Sequence, residues 1–159
     1  MRKNYKMPKL ALPPYPVRLR EHDGRLDIFD MLRDRYVALT PEEWVRQHFV
    51  NYLIIVKGYP KSLLANEVSL KLNDMSRRCD TVLYDRSLNA RMIIEYKRPD
   101  VVVSQKVFDQ ICHYNIVMRV DYLIVSNGLH HYCCKVDYEN QSYEFLEDVP
   151  NYNQMNNEK

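Results

Sequence analysis

Several features are missing from this sequence, and each absence narrows what the protein can be. No apolar run approaches the ~20 residues needed to span a bilayer, and the opening MRKNYKMPKL lacks the apolar segment of a secretory signal. There is no GxxxxGK[ST] phosphate loop, so these 159 residues hold no ATP-driven motor. The four cysteines, Cys79, Cys112, Cys133 and Cys134, show no CxxC spacing. Cys133 and Cys134 are adjacent and alternate in direction, a poor disulfide geometry. The expectation is a reduced, cytoplasmic protein with no membrane partner. A formal net charge of +2 is too small to argue for nucleic acid unaided.

What is present fits one globular domain. At 159 residues, 46% hydrophobic and 28% charged, the chain can bury a real core without staples. Residues 1–16 are basic and broken by Pro8, Pro13, Pro14 and Pro16, which predicts an extended arm. VRLREHDGRLDIFD alternates loosely about Asp23-Gly24 and predicts a lead-in hairpin. A helix starts at Thr40-Pro41-Glu42-Glu43, with Thr40 as N-cap, Pro41 in the first position and Glu43 completing a capping box. It runs over 44–57 to Gly58, with Val45, Phe49, Tyr52, Leu53 and Val56 as its core stripe. Strands are expected at 64–71, 79–84, 91–97, 122–126, 129–135 and 142–146, with a tight turn at Asn127-Gly128. A second helix, capped by Ser104, runs from 105 to about 120. These elements divide the chain into an arm and the start of the hairpin (1–27), a main domain (28–147) and a polar tail without regular structure (148–159). His130 and His131 are neighbours on a strand and face opposite ways, so they read as sheet residues and not as a metal pair.

Chemistry concentrates in CDTVLYDRSLNARMIIEYKRP. Two strands, 79–84 and 91–97, flank a polar turn. Glu95 and Lys97 are two apart and share a face. If the hairpin folds between Ser87 and Leu88, Asp80 lies opposite Glu95 on that same face. Two close carboxylates repel unless a cation separates them, and hard oxygen ligands favour Mg²⁺ or Mn²⁺. Asp80 and Glu95 are therefore the candidate metal ligands, with Lys97 orienting water or phosphate. Alone, such a D…ExK pattern also fits an edge hairpin with an ordinary cross-strand ion pair. Arg77 and Arg78, expected in a turn over 73–78, fit a solvated surface or phosphate contacts equally well. Gln110 and Tyr114 sit one turn apart beside the buried arc of the second helix.

The order hairpin, helix, three strands, helix, strands resembles the PD-(D/E)xK restriction-endonuclease-like fold, an α/β fold whose mixed central sheet is flanked by helices. More closely, the chain resembles the N-terminal nuclease domain of type I restriction enzyme R subunits. The likeness runs from about 28 to 137 and rests on TPEEWVRQHFVNYLIIVKGYP, RRCDTVLYD, IIEYKRP, QICHY and LIVSNG. It implies a metal-dependent DNA endonuclease in which Asp80 and Glu95 bind Mg²⁺ or Mn²⁺ and Lys97 is catalytic. Gln110 and Tyr114 would support the site or contact DNA. Related nucleases often add an acid from the first helix, and here Glu43 and Gln47 are both candidates. Cys79 stands where the fold's label has proline. Without a motor, the chain is expected to work alone or beside other restriction-system subunits. The alternatives are a non-catalytic DNA-binding or assembly module, and a structural domain whose charged hairpin is a surface ion network.

Overall fold

The computed structural model describes residues 7–156. A three-stranded antiparallel sheet comes first: β1 (Leu19–His22), β2 (Arg25–Asp30) and β3 (Arg35–Ala38). Asp23 and Gly24, at φ 49° and 77°, close β1 onto β2 in the left-handed conformation that two-residue hairpin turns demand. The boundary expected between 27 and 28 falls inside β2, where Asp27 and Ile28 are both buried. β3 was not anticipated, because four residues are too few to show a period.

Helix α1 (Pro41–Ile55) begins as its sequence dictates, with the Thr40 hydroxyl accepting the Glu43 N–H at 3.1 Å. The other half of the capping box is not made, since arginines take the Glu43 carboxylate. Val45, Phe49 and Leu53 are buried, whereas Val56 lies beyond the helix end and is exposed.

The main sheet has six strands in sequence order: β4 (Leu64–Leu72), β5 (Met75–Tyr84), β6 (Ala90–Tyr96), β7 (Tyr122–Ser126), β8 (His131–Asp137) and β9 (Ser142–Leu146). Only the β6–β7 pair is parallel, and α2 (Gln105–Asn115) makes the crossover it requires. Ser104 caps α2, accepting the Val107 N–H. The helix ends five residues before the expected 120, giving way to a 3-10 turn and to Arg119 in the left-handed region. Phe49, Leu53, Met92, Ile94 and Ile124 pack on the α1 face of the sheet. Phe108, Cys112, Val82, Ile93, Leu123 and Val125 pack on the α2 face. Arg77 and Arg78 lie on β5 and not in a turn; the chain reverses earlier, at Asn73-Asp74.

Both ends of the described stretch are tied down. Leu10 is buried, and the Ala11 N–H donates to the Gly128 carbonyl. Gly128 sits at φ 86° with Leu10 against it; a Cβ there would come within 2.7 Å of Leu10 Cδ2. The tail corrects the expectation of disorder: Val149 and Met155 are buried, and α3 (Tyr152–Asn156) packs beside Tyr59, whose hydroxyl donates to Pro150 O. Three spaced apolar residues among asparagines are enough to anchor it. The basic start of the arm, residues 1–6, and the last three tail residues lie outside the described residues.

Candidate active site

Pairing of β5 with β6 runs through Thr81↔Ile94, Val82↔Ile93 and Leu83↔Met92, so the next pair outward is Asp80 beside Glu95. A bulge between Leu83 and Tyr84 shifts the turn end to Tyr84↔Ala90. The expected pairing therefore holds at the acids and slips by one residue at the tip. Asp80 Oδ2 accepts the Tyr96 N–H at 2.9 Å, fixing one carboxylate against the strand that carries the other. Glu95 reaches Asp80 within hydrogen-bonding range, and its Oε1 is buried with no hydrogen-bond partner. Burial first, then the Asp80 charge, push the Glu95 carboxyl up to about 9. Lys97, half-buried just past the end of β6, works against that rise.

Local irregularity sets this geometry. On the other side of β5 the pairing passes from Asn66↔Thr81 to Val68↔Cys79, leaving out Glu67 and Asp80. Glu67 is in the left-handed region at φ 55°, an uncommon state for a residue other than glycine. Strict alternation breaks there, since Cys79 and Val82 both pack beneath α2.

Asn115, the last residue of α2, was not anticipated. It is buried, hydrogen-bonds Glu95, and donates through Nδ2 to Ile111 O at 3.1 Å. Its Oδ1 is buried without a partner. A signal existed: Phe108, Cys112 and Asn115 follow the i, i+4, i+7 stripe, and an amide on a buried stripe calls for a reason. Gln110 and Tyr114, by contrast, are exposed on the outer side of α2. With Arg77, Lys106, Asp109 and His113 they line an open groove of about 970 Å³, and none of Asp80, Glu95 and Lys97 lines it. Arg77 donates to the Tyr114 carbonyl at 3.0 Å and lies 4.3 Å from the Tyr114 ring centroid.

The first-helix candidates belong to a polar chain on the α1 face. Arg33 binds Asp30 and Glu43, and Arg46 binds Glu43, Glu67 and the main-chain carbonyl of Asp80. Arg78 holds the other Glu67 oxygen at 2.9 Å. Gln47 is fully buried, and its amide lies 3.5 Å from Glu43 Oε2. A side branch runs from Asp30 through Asn66 and Thr81 to the Tyr96 hydroxyl. Burial opposes the Asp30 charge, but donors from Arg33 and Asn66 hold its carboxyl below the usual range. So Glu43 is tied through Arg46 to the strands behind the site, whereas Gln47 reaches Glu43 and its buried Oε1 has no hydrogen-bond partner.

Asp80 and Glu95 offer carboxylate oxygens of the hard type, and the orphaned Glu95 Oε1 gives a cation a reason to be there. Among the described residues, no group of three or more His, Cys, Asp and Glu side chains converges as a ready-made metal cage. Mg²⁺ commonly takes one or two carboxylates and completes its shell with water and substrate phosphate, so the donor set fits. No helix among the described residues is long and apolar enough to cross a membrane.

The domain is a mixed α/β fold, with a helix on each face of its main sheet and paired carboxylates on neighbouring strands. The chain belongs to the family described as type I restriction enzyme R protein N terminus, whose family model matches residues 41–150. No curated protein matches it.

Proposed function

We propose that this chain is a metal-dependent DNA endonuclease of the PD-(D/E)xK type, acting in restriction or DNA processing in the cytoplasm. The observation that carries the reading is the juxtaposition of Asp80 with Glu95, whose Oε1 is buried and unpartnered, next to Lys97. Family membership supports a nuclease-like role in a restriction system, with DNA and other restriction-system subunits as partners.

Asp80 and Glu95 would hold Mg²⁺ or Mn²⁺. When bound, the ion supplies charge neutralisation at the phosphodiester and eases deprotonation of water. Lys97 orients the attacking water or the reacting phosphate and stabilises developing negative charge. Asp80 is held in direction by the Tyr96 N–H, and its backbone by Arg46. Arg77, beside Tyr114 on the groove along α2, would meet the DNA backbone if DNA follows that groove.

The test is direct. Plasmid and single-stranded DNA are incubated with the protein in Mg²⁺ or Mn²⁺, against EDTA and against Asp80→Asn. Metal-dependent cutting that is lost in the variant is the expected result. Salt-sensitive DNA binding without cutting would instead assign the chain to a binding or assembly module.

A further inference from the structure

The last residue of α2 carries an amide where the rest of its buried stripe is apolar. Phe108 and Cys112 pack against the sheet, and Asn115, the next place along, is 1% exposed. Its Nδ2 donates to the Ile111 carbonyl at 3.1 Å and hydrogen-bonds the Glu95 carboxylate. Both partners are acceptors, so the amide cannot turn over without setting Oδ1 against them. Oδ1 therefore points elsewhere, and it is buried without a partner, as is Oε1 of Glu95. A buried acceptor with no donor costs stability, and an apolar side chain of similar size would avoid that cost. The fold gains nothing from this oxygen. Arg77 Nε donates to the Tyr114 carbonyl at 3.0 Å, so β5, the strand of Asp80, also holds this end of α2.

We infer that Asn115 is a positioning residue for the proposed metal site: its Nδ2 steers the Glu95 carboxylate, and its Oδ1 accepts a hydrogen from water in the ion's shell. The inference rests on the reading of Asp80 and Glu95 as that site. Two carboxylates leave most of an Mg²⁺ or Mn²⁺ shell to water and substrate, and each water has hydrogens to place. A buried amide oxygen beside Glu95 can receive one of them. Residues that touch the ligands and waters but not the ion commonly set metal affinity by about 10–100-fold. Being neutral, Asn115 does this without the repulsion a third carboxylate would bring.

Asn115→Leu separates this role from a structural one. Thermal unfolding in EDTA reads the fold, and equilibrium dialysis with Mn²⁺ reads the site. Both are run on the full chain, on Asn115→Leu and on Asp80→Asn. In Asn115→Leu the metal-free melting temperature should match or exceed the wild type's, while Mn²⁺ affinity falls by about 10–100-fold. Unchanged Mn²⁺ affinity, whatever the melting temperature, would make Asn115 a structural residue and overturn the inference. Should Asn115→Leu fold poorly, Asn115→Ala, which asks for no more room, decides in the same way. There, reduced Mn²⁺ affinity in a folded chain supports the role, and unchanged affinity overturns it. A wild type that binds no Mn²⁺, or binding undiminished in Asp80→Asn, would remove the Asp80–Glu95 site itself, and the inference would fall with it.

Discussion

Asp80 and Glu95 face one another from neighbouring strands, and the buried Oε1 of Glu95 has nothing to bond. With its pKa pushed from 4.5 to about 9, Glu95 keeps a proton in the folded, metal-free protein that the unfolded chain releases. Its contribution to stability is therefore fully present below pH 4.5 and is lost as pH rises to about 9. Glu95→Gln should flatten that decline and be more stable than the wild type at pH 8, by on the order of 1 kcal/mol or more. Urea unfolding across this pH range checks it; the idea fails if the wild-type curve is flat. Mn²⁺ must displace the proton, so its affinity should rise with pH over the same window.

Asp80→Asn and Lys97→Ala should separate metal binding from chemistry. Both should lose cleavage, by about 10²-fold or more. The rise in melting temperature on adding Mn²⁺ should vanish in Asp80→Asn and largely survive in Lys97→Ala, because in the proposed site only the carboxylate would ligate the ion. Unchanged cleavage in both would place the activity elsewhere.

Arg77 lines the α2 groove together with Lys106 and His113, whereas Arg78 is bonded to Glu67 and Arg98 to Asp100. If DNA follows the groove, Arg77→Ala should weaken binding at every sequence and reduce the slope of log affinity against log salt by about 1. Fluorescence anisotropy at several salt concentrations measures this. An unaltered slope would take the DNA path off this face.

Met155 lies 2% exposed in the main core, with its sulfur 3.3 Å from the Tyr59 hydroxyl oxygen. Met155→Ala should cost about 2–4 kcal/mol, as large-to-small core changes do. Thermal unfolding indistinguishable from wild type would mean that the C-terminal segment does not pack as described.

Much of this fold was legible from local chemistry. Thr40-Pro41 starts α1, Asp23-Gly24 turns β1 into β2, and Ser104 caps α2. Opposition of Asp80 to Glu95 required only a hairpin register, and an error at the tip did not reach the acids, because a bulge absorbed it.

What lay outside the reach of local pattern was every contact between distant segments. Nothing in the spacing of TPEEWVRQ says that Glu43 will be claimed by Arg33 and Arg46, or that Arg46 will reach the carbonyl of Asp80, 34 residues away. Nor does QICHYN announce that Asn115, and not Gln110 or Tyr114, turns inward to Glu95; that depends on how α2 is rotated over β6. The tail was misread for the same reason, since Val149 and Met155 acquire their value only from the core beside Tyr59. Periodicity reports which way a side chain leaves its own element, while partners are set by packing among elements far apart in sequence, and here that packing decided the surroundings of both carboxylates.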